Sequence, residues 1–163
     1  MSTTDRSQPA SLDQILTVVL AVAGGATTPA AIADATGSTA AQVRFLRNIA
    51  IALGLLAISS DGQAQVTSRA ARMLGAKDRV QRIAKLRYAV RQLPAAARAL
   101  AYLQEHPLGC TGRKLEAVIG EERPPVDVPV EWYARTIIAL LKELELISEQ
   151  NGVVRAVDAL ARR

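Results

Sequence analysis

Two stretches of the chain, STAAQVRFLRNIAIALGLLAIS from Ser38 to Ser59 and EWYARTIIALLKELELIS from Glu131 to Ser148, carry one pattern in different letters. With Arg44 set over Arg135, Leu46 lies over Ile137, Ile49 over Leu140 and Ala50 over Leu141. Leu53 then lies over Leu144, Leu55 over Leu146 and Leu56 over Ile147. In both, apolar residues return at the spacing of an amphipathic helix and then run into a short apolar exit. One supersecondary unit is therefore expected to occur twice.

Working outward from the first copy, Ser11 stands where a helix cap belongs, with Gln14 in capping-box position, and the expected helix runs to about Ala23 before Gly24-Gly25. Thr28-Pro29 restarts the chain as the short helix PAAIADAT, stopped by Gly37. Ser38 or Thr39 caps the next helix, with Val43, Leu46, Ala50 and Leu53 as its buried stripe and Gly54 as its end. LLAIS and QAQVTS flank Asp61-Gly62 and predict a β-hairpin. A short helix over residues 68–78 leads to a longer one from Asp78, whose stripe is Ile83, Leu86, Val90 and Leu93 and which Pro94 interrupts.

The order then repeats. PAAARALAYLQEH predicts a helix that Pro107 and Gly109 end, and a short helix follows over residues 111–119. Leu115, Ile119 and Gly120 fall over Ile32, Thr36 and Gly37 at a constant offset. The loop ERPPVDVP is about eight residues longer than its counterpart, an insertion between the two helices. The helix from Glu131 to Leu144, the run LELIS, the turn pair Asn151-Gly152 and the strand VVRAV complete the second copy. VDALARR answers TSRAARM. The expected organisation is a loose tail over 1–10, a first unit over 11–76, a basic connecting helix over 77–93 and a second unit over 94–163.

Composition fits that plan. Half of the 163 residues are hydrophobic but only 3% are aromatic, so Ala, Leu, Ile and Val must build the core, and an Ala-rich apolar chain favours helix. Cys110 is the sole cysteine, which excludes an internal disulfide and fits a reducing, cytoplasmic compartment. The apolar run Ile15–Ala23 is too short for a bilayer and lacks the basic flank of a signal peptide, so no membrane partner is expected.

The formal charge of +5 is unevenly placed. Residues 1–67 carry three arginines against four aspartates, and residues 99–163 carry eight basic against ten acidic side chains. Residues 68–98 carry nine basic residues against Asp78 alone, a net of +8. An anionic partner is expected at that middle segment.

The helix order, the glycine stops at Gly37 and Gly120, and the exits G-L-L-A-I and L-E-L-I-S resemble the winged helix-turn-helix superfamily, in two tandem copies. The resemblance implies a mainly α fold with small β-hairpin wings. It also implies that the third helix of a unit enters the major groove of double-stranded DNA while the wing touches the backbone. Carried over, the recognition helices are Thr39–Leu53 and Glu131–Leu144. On the first, Thr39, Gln42, Arg44, Arg47 and Asn48 are the candidate DNA contacts, since Gln, Arg and Asn pair with base edges and Arg reaches phosphates. Ordinary solvation of a surface helix is the plainer reading of the same residues. Gln63 and Gln65 on the wing and Arg79, Arg82 and Lys85 on the connecting helix are the candidate backbone contacts.

The second recognition helix suits DNA less well. Trp132, Arg135, Ala139 and Lys142 are expected outward, and Arg135 is its candidate contact, but Glu131, Glu143 and Glu145 surround them and would repel phosphates. Trp132 beside an arginine reads either as an interface anchor or as part of its own core. Ile51 and Trp132 are the candidate protein-interface residues, for a homodimer or another partner through the second unit.

Catalysis finds no foothold. One histidine and one cysteine do not make a usual zinc site, and His106 and Cys110 are separated by Pro107 and Gly109. GCTGRK lacks the order of a phosphate loop. The expectation is a non-enzymatic, cofactor-free DNA-binding regulator of transcription, associated with the nucleoid. Its rivals are a tandem winged-helix interaction subunit of a DNA-processing, transcription or chromosome-organising complex, and a ligand-responsive regulator.

Overall fold

Small hydroxyl side chains set the helix starts. Ser11, Thr28, Thr39, Thr67 and Thr111 each accept a hydrogen bond from the backbone N–H three residues on, which satisfies one of the orphan donors of a helix N-terminus. In the computed structural model, which describes residues 9–76, 78–124 and 129–157, the first unit comprises α1 (Leu12–Ala23), α2 (Pro29–Thr36), α3 (Ala40–Ala52), β1 (Leu56–Ile58) and β2 (Ala64–Val66). Next come α4 (Ser68–Leu74) and α5 (Arg79–Arg91), the latter capped by Asp78. The second unit comprises α6 (Pro94–Glu105), β3 (Cys110–Thr111), α7 (Gly112–Gly120), α8 (Val130–Glu143), β4 (Ile147–Gln150) and β5 (Val153–Ala156). The fold is mainly α with small antiparallel hairpins.

The repeat holds at the level of single hydrogen bonds. At the end of α3 the N–H of Leu55 donates to the carbonyl of Ala50 at 2.9 Å, and at the end of α8 that of Leu146 donates to Leu141 at 2.8 Å. Both exits turn through a left-handed residue, Gly54 at φ 74° and Glu145 at φ 58°. Glycine adopts that conformation without cost, whereas Glu145 is held there against its Cβ. Beyond the turns, Leu56 pairs with Val66 in the first hairpin and Ile147 with Ala156 in the second.

A third connection also recurs, one that no local pattern in the chain marks. The N–H of Ala64 on β2 donates to the carbonyl of Thr27, between α1 and α2. The same place in the second unit has grown into β3, where Cys110 pairs with Val154 and makes a three-stranded sheet of order β3-β5-β4. Gly109 permits it, because its φ is 89° and a Cβ there would lie 2.5 Å from the carbonyl oxygen of Val154.

Four expectations need correction or completion. Ala10, placed in a loose tail, is buried against the core. The helix expected over 68–78 is shorter, because Gly75 caps α4 after Leu74, while the longer helix starts at Asp78 as expected. Part of the loop ERPPVDVP (residues 125–128) and most of VDALARR (158–163) lie outside the described residues, as do residues 1–8 and Lys77.

The two units share one core. A continuous cluster of buried side chains runs from Leu12, Ile15 and Val19 on α1 through Leu46 and Ile49 on α3 to Ile137, Leu140 and Leu141 on α8. Polar and ring contacts also cross between the halves. The rings of Phe45 and Trp132 lie 4.6 Å apart at 36°. The N–H of Leu12 donates to Glu143 Oε2 at 3.0 Å, and Arg87 Nε on α5 donates to the carbonyl of Leu144 at 2.8 Å. The last two satisfy an orphan donor and an orphan acceptor at helix ends of opposite polarity.

Candidate nucleic-acid interface

The outward arc of α3 follows from its inward one. Val43, Leu46, Ile49 and Ala50 are buried, so the residues on the far side are Ala40, Ala41, Arg44, Arg47, Asn48 and Ile51. Ala40, Ala41 and Arg44 are exposed, while Arg47, Asn48 and Ile51 are half-buried. Arg47 carries an unusual feature: its Nε is enclosed and has no hydrogen-bond acceptor among the described residues.

Thr39 and Gln42, both candidate DNA contacts, are committed elsewhere. They form a capping box, with Gln42 Oε1 accepting from the Thr39 N–H at 3.0 Å and Thr39 Oγ1 accepting from the Gln42 N–H at 3.2 Å. Their direct effect is to fix the start of α3, whose first turn carries the exposed Ala40 and Ala41. Gln63 and Gln65 are exposed at the hairpin. The Ser59 hydroxyl donates to Asp61 in the hairpin loop and holds that carboxyl below its ordinary range.

Electrostatics separates the two units. Arg44, Arg47, Arg69, Arg72, Arg79, Arg82, Lys85 and Arg91, carried by α3, α4 and α5, have no carboxylate partner among the described residues. Arg69 folds its guanidinium over Gly54, beside the negative end of α3. Arg87 differs from its neighbours, meeting Glu145 at 3.5 Å. Arg79, Arg82 and Lys85 are all exposed.

In the second unit the equivalent surface is closed. Trp132, expected outward, is only 8% exposed. Its indole lies against Phe45 because α8 is buried almost all round, with Tyr133, Ala134, Thr136, Ile137, Ile138, Leu140 and Leu141 also enclosed. Trp132 therefore anchors an interface inside the chain, between the two units. Ile51, the other candidate for a protein interface, packs partly against the core. The strip of α8 that reaches solvent holds Arg135, at 3.7 Å from Glu116, and Lys142, ion-paired with Glu149. Arg98 on α6 is paired with Glu121 and Glu122, and those carboxylates push its pKa up.

Between α7 and α8 lies an open cavity of about 360 Å³ whose rim includes Glu116, Glu121, Glu131 and Arg113. Three carboxylates against one arginine make it a poor seat for phosphate. Burial pushes the Cys110 thiol up, opposed by Lys114, and His106 is engaged with Tyr102, its ring stacked at 4.1 Å and its Nδ1 at 2.8 Å from the Tyr102 carbonyl. Among the described residues, no three His, Cys, Asp or Glu side chains gather as a metal site, and no helix is long and apolar enough to cross a membrane.

No protein-family model, curated protein or solved structure matches the chain. Its function has to be read from its own surface.

Two features of that surface have weak or no signals in the sequence. Arg69 and Arg72 extend the unpaired cations along α4, and in the sequence both stand unmarked within the basic run. Glu143 and Arg87 tie the units together, and no local signal marks either, because their partners are 131 and 57 residues away.

Proposed function

We propose that the chain is a double-stranded DNA-binding protein of tandem winged-helix build, acting in transcriptional regulation, with only its first unit reading the groove. In this reading Arg44, Arg47 and Asn48 face the bases and adjacent phosphates, and the capped N-terminal end of α3 approaches the backbone over the small side chains of Ala40 and Ala41. The hairpin glutamines and the cations of α4 and α5 hold the flanking phosphates. Sequence-independent attraction would supply much of the affinity through counterion release. The second unit then serves as a brace, since α8 packs on the side of α3 that carries Phe45.

One observation carries this reading: eight cations on α3, α4 and α5 lack a carboxylate among the described residues, while the exposed cations of the equivalent helix α8 are neutralised. An unpaired set of that size costs self-repulsion, and binding a polyanion relieves it.

The test is binding of a labelled random-sequence duplex across a salt series, with wild type beside an Arg44→Ala/Arg47→Ala variant. The expected result is wild-type affinity that falls steeply with salt, and a variant whose logarithmic salt slope is smaller by about 2, one for each phosphate no longer neutralised. Absence of binding at low salt would overturn the reading and leave the chain as a platform for another protein.

A further inference from the structure

The connecting helix has an outer face as well as a charge. Leu86, Ala89 and Val90 of α5 are buried, which turns Val80, Ala84 and Tyr88 away from the core at successive four-residue steps. Val80 is 77% exposed and Tyr88 62%. The Tyr88 ring has no ring partner and no hydrogen bond among the described residues. Lys85 and Arg91 stand three residues before and after it, both exposed and both without a carboxylate among the described residues.

An exposed tyrosine between two unpaired cations, at the end of an apolar strip, does not match the outside of a duplex. There the bases are stacked on one another and offer only their edges in the grooves, not their faces. It matches an unpaired strand, whose bases offer a free π-face and whose phosphates remain within reach of flanking cations. The strip spans about 12 Å at the helical rise, room for two or three nucleotides. Charge decides against an apolar partner, since Asp78 is the sole acidic residue from position 68 to position 98.

We propose that α5 is a stacking ridge for single-stranded DNA, with Tyr88 receiving a base and Lys85 and Arg91 holding the adjoining phosphates, so that the chain prefers duplexes with an unpaired tail. The proposal rests on the reading of the chain as a DNA-binding protein, but it concerns different residues from the groove contacts and can fail separately.

The experiment measures fluorescence anisotropy of the full chain at one salt concentration with three probes: a blunt duplex, the same duplex with a thymidine tail, and that duplex with an abasic tail. Wild type should bind the thymidine-tailed probe about 5- to 150-fold more tightly than the abasic-tailed one, the range for stacking one base. Tyr88→Ala should abolish that ratio while leaving blunt-duplex affinity within about twofold, and Tyr88→Phe, which keeps the ring, should preserve it. Equal binding of the two tailed probes by wild type would overturn the proposal, and so would a Tyr88→Phe variant that behaves like Tyr88→Ala. A polyglutamate peptide of equal charge that displaces the thymidine-tailed probe as well as a single strand does would also overturn it, assigning the ridge to an acidic protein segment. If Arg44→Ala/Arg47→Ala binds the blunt duplex like wild type while Tyr88→Ala loses the tail preference, the groove reading fails and the ridge stands.

Discussion

α3 and α8 occupy equivalent places in the two units and end in the same hydrogen-bonded turn, yet they meet their surroundings differently. α3 buries one side and leaves Ala40, Ala41 and Arg44 exposed, whereas α8 is enclosed by the shared core and offers a narrow, ion-paired strip. Placing one of these helices against the other encloses α8 and leaves part of α3 open. A duplicated unit, then, need not present a duplicated surface. A helix face is available to a ligand only if the rest of the chain leaves it uncovered and its charges unmatched.

The sharpest way to break that comparison is to remove the side chain at its centre. Trp132→Ala should cost about 3–5 kcal/mol, the usual loss for a buried large aromatic, seen as a lowered midpoint in denaturant. If the two units share one core as described, both should unfold in a single transition, whereas two separated transitions would mean that they are energetically independent. Gly109→Ala comes next. A Cβ there meets Val154 and the backbone is left-handed, so a loss of about 1–3 kcal/mol is expected, against less at Gly62, where a Cβ meets open space.

Electrostatic variants should separate the units without unfolding either. Arg135→Ala should leave duplex affinity and its salt slope within error of wild type, because Arg135 is already matched by Glu116, while Arg44→Ala alone should reduce the slope by about 1. Equal effects at the two positions would mean that both helices touch DNA.

The smallest effect is expected at the tie between the halves. Burial raises the Glu143 carboxyl above its ordinary value, helped by Asp13 and opposed by the hydrogen bond from Leu12. A raised folded-state value means that the folded chain holds the proton more tightly. Stability should therefore fall as pH rises from the ordinary glutamate range through the raised value. Glu143→Gln keeps an acceptor for Leu12 and should flatten that dependence, as urea titrations at about pH 4 and about pH 7 would reveal.

The repeat was legible because it is local. Caps, glycine stops and the helical period act within a few residues, so Ser11, Thr39, Gly37 and the stripes of α3 and α8 announce themselves. Gln42 shows the limit of that logic. Its type suggested base readout, but the capping-box spacing to Thr39, equally local, gave it a different task. Trp132 shows another limit. The period of α8 predicts one buried side, whereas packing on α3 supplied a second, and nothing near Trp132 in the chain reports the ring of Phe45.

By itself, the sequence determined that this chain makes mostly helices in a repeated order and that its positive charge gathers between the copies. Those properties follow from backbone capping, side-chain period and composition, which need no knowledge of distant partners. Only the tertiary structure decided which of two similar helices keeps an open face, which cations go unpaired and that Tyr88 stands in solvent. Burial and charge pairing are relations between residues far apart in the chain, and they become definite only when the chain folds onto itself.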